Sequence, residues 1–136
     1  ALAQVRLDDF IRDSGGLDKV ISEDGANISG GQKQRLALAI ALAADKDIYL
    51  FDEATSNIDV DSESVIMDTV HKLAESKTVI VISHRLANIE KADKIYVLAD
   101  GRVAESGTHQ KLLENGGMYS QMYLTQKSLE EVDINE

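Results

Sequence analysis

Two stretches decide the reading of this chain: Ile28-Ser29-Gly30-Gly31-Gln32-Lys33-Gln34-Arg35 and Asp47-Ile48-Tyr49-Leu50-Phe51-Asp52-Glu53. Ser29 and Gln32 have the spacing of a capping box, so a helix starts here. A capped helix with no further role would satisfy that much. Gly30 and Gly31, however, each cost up to ~1 kcal/mol relative to alanine in a helix. Lys33 and Arg35 place positive charge at the helix end that prefers negative charge. A helix built for stability alone avoids both. A helix whose N-terminus meets a phosphate gains from bare backbone N–H groups and a positive end. The second stretch is a short apolar run closing on two carboxylates, the pattern of a buried parallel strand. Together they point to nucleoside triphosphate chemistry.

Between the two, Leu36 to Ala44 is apolar on every face, which predicts a helix buried all round. That burial would hold the helix N-terminus rigid.

The chain has 136 residues, enough for one small domain. It has no cysteine, which excludes disulfides and cysteine-based metal sites. No stretch reaches the ~20 apolar residues of a membrane span, and no signal peptide opens the chain, as expected of a soluble segment of cytosolic type. The net charge of −10 argues against a nucleic-acid surface, which calls for basic patches. Glu130, Glu131, Asp133 and Glu136 form an acidic cluster best read as a solvated tail.

Taken in order, Ala1 to Asp13 predicts a helix that begins without a cap signal, like a cut, and ends at Ser14-Gly15-Gly16. Leu17 to Asn27 reads as a loop. A strand over 47–52, a turn over 54–57, a helix over 59–75 and a β-branched strand over 78–83 make a βαβ unit with parallel strands. A short helix over 86–91 and a strand over 94–99 follow. Asp100-Gly101 signals a hairpin, so 102–105 returns antiparallel. Thr108 caps a helix running to Asn115, and a final helix covers 118 to about 127. The fold class is α/β with an open, mostly parallel sheet.

In such sheets the ligand sits beyond the carboxyl ends of the strands. Asp52-Glu53 and Ser83-His84 lie at that edge. Each alone could be an incidental turn. Successive strand residues point to opposite sides, so Asp52 can hold Mg²⁺ while Glu53 addresses a water. With neighbouring strands, His84 would lie beside them, in reach of a terminal phosphate.

Ser29-Gly30-Gly31-Gln32 with Lys33-Gln34-Arg35 resembles the signature motif of ATP-binding cassette (ABC) ATPases. Ile48 to Glu53 resembles their Walker B strand with its glutamate, Ser56-Asn57-Ile58-Asp59 their D-loop, and Ile82-Ser83-His84-Arg85-Leu86 their histidine switch. The order and spacing match over nearly the whole chain. Ala92-Asp93-Lys94-Ile95, Asp100-Gly101-Arg102, Gly107-Thr108-His109 and Gly116-Gly117-Met118-Tyr119 are similar to exporter-type cassettes.

The resemblance implies a P-loop NTPase (RecA-like) domain and a division into three parts. Residues 1–35 would end a helical subdomain with the signature, 36–115 would form the C-terminal part of the ATPase core, and 116–136 a helix with an acidic tail. It implies ATP and Mg²⁺ as ligands. Asp52 would support Mg²⁺ through water, Glu53 would polarise the attacking water, and His84 would contact the γ-phosphate. Ser29, Gly30 and Gly31, with the adjoining Gln32, would serve ATP held by a second cassette. Asp59 would work across that two-fold interface. A transmembrane domain, N-terminal in the parent chain, would place the assembly at the cytoplasmic face of the cell membrane.

No G-x-x-x-x-G-K-[ST] loop occurs in the chain, so the phosphate-cradling Walker A half is missing. The strand that carries it is expected between 78–83 and 94–99, which leaves open sheet edges and predicts an inactive, marginally folded or self-associating piece. Ile28 replaces the usual leucine, and Asn57-Ile58 the commoner Ala-Leu. Ser22-Glu23-Asp24-Gly25 stands where exporters carry a Glu-Arg-Gly run facing the membrane domain, which puts that contact in question. Two other readings exist: a soluble ABC ATPase of chromosome maintenance or DNA repair, and a non-catalytic regulatory cassette. The ending from Arg102 to Tyr123 and the acidic balance speak against the first. The presence of both Glu53 and His84 speaks against the second.

Overall fold

The computed structural model describes residues 1–22 and 25–133, with 131–133 by backbone only. Glu23 and Asp24 of the Ser22–Gly25 run therefore lie outside the described residues, as do the acidic side chains after Glu130. The chain divides into two compact units, Ala1–Ile82 and Ser83 onward.

In the first unit the single helix expected over 1–13 is broken. A 3-10 turn, Ala3–Val5, is followed by α1, Asp8–Asp13. The break lies at Arg6, whose φ of 52° is left-handed. The Arg6 N–H donates to the Ala3 carbonyl and the Leu7 N–H to the Leu2 carbonyl, a closure that ends a helical turn. It sends both Val5 and Leu7 into the core. A second 3-10 turn, Gly16–Asp18, sits in the stretch read as loop.

Then follow α2 (Gly30–Ala43), β1 (Ile48–Asp52), α3 (Val60–Ala74) and β2 (Thr78–Ile82). β1 and β2 pair in parallel, with Ile48 opposite Thr78 and Asp52 opposite Ile82. One core cluster gathers Val5, Leu7 and Ile11, Leu38 and Ala39 of α2, Tyr49 and Phe51 of β1, and Ile66, Met67 and Val70 of α3.

Two expectations of complete burial fail here. In α2 only Gly31, Leu38 and Ala39 are buried, and Ile40 is exposed. In the sheet, Tyr49 and Phe51 face inward, while Ile48 and Leu50 on the other face are each 64% exposed. Ile80 and Ile82 of β2 remain 51% and 47% exposed. The sequence marks these positions as apolar, but the described residues supply a covering layer on one side only. Full burial of an aliphatic side chain is worth about 1.5–3 kcal/mol, so these four leave on the order of 4 kcal/mol unrealised. That is a sizeable share of a stability that is typically about 5–15 kcal/mol.

The second unit opens with a 3-10 turn, Leu86–Ile89, then β3 (Ile95–Ala99), β4 (Arg102–Gly107), α4 (His109–Glu114) and α5 (Met118–Asp133). β3 and β4 form an antiparallel hairpin with a register shift between Val97 and Leu98. Its turn residues Asp100 and Gly101 have φ of 50° and 72°, as a type I′ turn demands. The hairpin and the β1–β2 pair are separate two-stranded sheets. Leu86, Ile95, Val97, Leu112 and Tyr119 make the core of this unit.

α5 runs past the expected end near Lys127. Its start is held by Glu105 of β4, whose carboxylate accepts from the N–H groups of Met118 (2.7 Å) and Tyr119 (3.1 Å). Negative charge at a helix N-terminus is stabilising. The carboxylate occupies the space that a side chain at Gly117 would need, with its Cδ 2.8 Å from an ideal Cβ.

Candidate nucleotide site

The start of α2 is a complete capping box. The Ser29 hydroxyl accepts from the Gln32 N–H at 3.1 Å, and the Gln32 side chain accepts from the Ser29 N–H at 2.9 Å. The two glycines that follow differ in surroundings. Gly30 is exposed, and a Cβ placed on it would come no closer than 3.9 Å to its nearest neighbour, the Asn57 carbonyl. Gly31 is buried against the start of α3. A Cβ there would stand 2.6 Å from Asp59 Oδ2 and 2.7 Å from Ser62 Cβ, and would overlap the Ser62 hydroxyl. Both glycines were read as openings toward an anion. For Gly31, close packing of the two helix starts is a sufficient reason.

This packing brings Ser29–Gly31 next to Asn57–Ser62. Asp59 is the N-cap of α3, its Oδ1 accepting from the Ser62 N–H at 2.8 Å. Hydrogen bonds from the Ser62 backbone and then its side chain hold the Asp59 carboxyl below its ordinary range. Burial opposes this, and the charge of Arg35 assists.

Arg35, expected from the sequence to favour an anion, has a structural contact. Its Nη1 donates to the carbonyls of Val5 (3.4 Å) and Arg6 (3.3 Å), tying α2 to the left-handed turn that precedes α1. No pattern in the sequence announced that link, because it depends on where Arg6 turns. Lys33 lies over Gly25, where a Cβ would come within 2.6 Å of its Cε.

At the end of β1 the two carboxylates part company. Asp52 closes the strand, exposed and without an ion pair among the described residues. Glu53 has a φ of 49°, left-handed for a residue with a side chain. Its N–H donates to the Ile82 carbonyl at 3.0 Å and its carbonyl accepts from the Ser56 N–H at 3.0 Å. The ladder to β2 thus holds the strained residue in place. Such strain, of order 1–3 kcal/mol, collects at functional sites. Asn57, in the same loop, has a φ of 56°.

His84 belongs to the second unit. Its side chain is exposed. Its carbonyl accepts from the Gln126 side-chain amide, and the same amide accepts from the Leu86 N–H at 3.0 Å. The Ser83 hydroxyl accepts from the Arg85 N–H at 3.0 Å and donates to the Arg85 carbonyl at 3.0 Å.

Among the described residues no cluster of three or more His, Cys, Asp or Glu could cage a metal. A lone exposed carboxylate such as Asp52 does fit Mg²⁺, which takes one or two carboxylates and completes its shell with water and phosphate oxygens.

Residues 1–56 match the family model described as ABC transporter. Across 131 residues, 96% of its length, the chain is 52% identical to an uncharacterized ABC transporter ATP-binding protein of Haemophilus influenzae. The chain belongs to the ABC transporter family. It is 50% identical over 111 residues to the ATP-dependent lipid A-core flippase of Vibrio vulnificus, covering 82% of the chain and 19% of the flippase. The structure of a bacterial Atm1-family ABC exporter with ATP bound superposes over 92% of the chain and 22% of that exporter, at 40% identity and a TM-score of 0.83. This ABC transporter segment thus spans about a fifth of the length of its relatives, 23% for the Haemophilus protein. Its fold is that of part of a P-loop NTPase domain. No described helix is long and apolar enough to cross a membrane.

Proposed function

We propose that this chain is the C-terminal segment of the nucleotide-binding domain of an ABC exporter, and that it supplies part of an ATP-hydrolysing site that powers transport. The observation that carries the reading is the end of β1, where Asp52 closes the strand and Glu53 is held in left-handed backbone by the Ile82 carbonyl. The likeness to an ATP-bound exporter over 92% of the chain supports it.

In this reading Asp52 would hold Mg²⁺ through water, and Glu53 orients the attacking water and takes its proton. His84 donates a hydrogen bond to the γ-phosphate. Ser29, Gly30, Gly31 and Gln32 present the start of α2 to ATP on a second domain, where the open face at Gly30 admits a phosphate. Asp59, beside them, faces the same interface. Bound Mg²⁺ would neutralise charge that develops on the phosphates. Partners are a transmembrane domain of the parent chain and a second nucleotide-binding domain, related by two-fold symmetry. The setting is the cytoplasmic face of the membrane.

The test is ATP turnover by the purified full-length transporter in lipid, against Glu53→Gln. Turnover should fall at least hundredfold in the variant while ATP still binds. Equal turnover in both would remove Glu53 from the chemistry.

A further inference from the structure

The segment that carries His84 lies outside any strand or regular α-helix. A side chain 42 residues further on holds its backbone. Gln126 of α5 donates from its amide nitrogen to the His84 carbonyl and accepts at its oxygen from the Leu86 N–H at 3.0 Å. These two groups flank Arg85. One planar amide therefore fixes the chain on both sides of it, and with it the direction in which His84 leaves the backbone. The pairing requires a donor and an acceptor on one side chain, which glutamine has and glutamate, lysine or leucine lacks. One turn earlier on α5, the Tyr123 hydroxyl donates to Glu90 at 2.6 Å, at the far end of the 3-10 turn that starts at Leu86. α5 thus holds this segment through both side chains, and of these two hydrogen-bonding residues it is Gln126 that reaches the His84 peptide.

The geometry points to Gln126 as the positioning residue of His84: it sets the imidazole where a terminal phosphate can meet it. This rests on the functional reading above, which gives His84 that task. A group one bond network away from the reacting atoms should affect the rate and leave nucleotide affinity alone, because small misplacements of catalytic groups are costly.

The experiment uses the full-length transporter in lipid and measures kcat and KM for ATP, with the unfolding temperature of each variant. Gln126→Leu should lower kcat about tenfold with KM unchanged within about twofold. Gln126→Glu keeps the size and the acceptor but sets a carboxylate against the His84 carbonyl, so it should fall with Gln126→Leu. It carries the test if the leucine variant folds poorly. Tyr123→Phe removes the hydrogen bond to Glu90 and should keep kcat within about twofold of wild type. Equal kcat losses in Gln126→Leu and Tyr123→Phe would mean that α5 merely braces the segment, and would overturn the proposal. So would wild-type kcat in both Gln126 variants, or a change confined to KM. Turnover that needs His84 but not Gln126 sinks this inference alone. A wild-type transporter without ATP turnover sinks the functional reading and takes this inference with it.

Discussion

Gly31 and Ser62 touch so closely that neither helix start leaves room for a methyl group: a Cβ on Gly31 would stand 2.7 Å from that of Ser62 and nearer still to its hydroxyl. The neighbouring Gly30 has room for a Cβ, which would come no nearer than 3.9 Å to the Asn57 carbonyl. One glycine joins α2 to α3, and the other leaves the helix end accessible.

Substitution should separate the two roles. Gly31→Ala forces α2 from α3 and should destabilise the domain by about 1–3 kcal/mol, the usual cost of overpacking. Gly30→Ala should leave the unfolding temperature unchanged or slightly raised, since alanine is the better helix former. It should still reduce ATP turnover in the full-length transporter. Calorimetry and turnover on the same preparations check both, and Ser62→Gly should restore part of what Gly31→Ala loses.

Glu53 should show stability and activity in opposition. Glu53→Gly relieves the left-handed backbone at φ 49° and should gain about 1 kcal/mol, the lower end of the strain that a side chain carries there. The same variant should abolish hydrolysis. An unfolding temperature below that of Glu53→Gln would show that the backbone there is unstrained.

Asp59 should make stability depend on acid. Its folded pKa lies below the ordinary value of 3.8 because Ser62 donates to the carboxylate. A depressed carboxylate stabilises the fold above its unfolded pKa, and that contribution is lost as pH falls through the folded pKa. Asp59→Ala should therefore melt lower than wild type at neutral pH. The gap should begin to narrow as the pH drops below about 4, where the unfolded form starts to protonate, and keep narrowing until the folded carboxylate protonates as well. A gap that stays constant through that range would detach the Asp59 charge from the cap.

The 136-residue chain by itself should not hydrolyse ATP above its own Glu53→Gln background, since it has no Walker A loop. Its half-exposed Ile48, Leu50, Ile80 and Ile82 should drive association. Sedimentation should show oligomers whose size falls when Leu50 and Ile80 are replaced by threonine.

The elements that proved legible in the sequence are those set by local chemistry. Ser29 and Gln32 announce a cap, Asp100-Gly101 a hairpin, and the apolar runs at 48–51 and 78–82 a pair of strands. Each signal lies within a few residues of its effect. What escaped depends on distant contacts. Glu53 carries no mark of its left-handed backbone, because the β2 ladder imposes it. Gly31 reads like Gly30, because only the arrival of α3 distinguishes them. Arg35 reads as charge for an anion until Arg6 turns its carbonyl toward it. The exposure of Ile40 and Ile48 was hidden for another reason: apolar composition records which surfaces are suited to burial, and the described chain covers only one side of them.

Glu105 grips the first turn of α5, and Gln126 reaches from the same helix to the His84 carbonyl eight residues later. At 1.5 Å per residue this is a rod about 12 Å long, pinned at both ends. The same rod thus ties the β3–β4 hairpin at one end to the His84 peptide at the other.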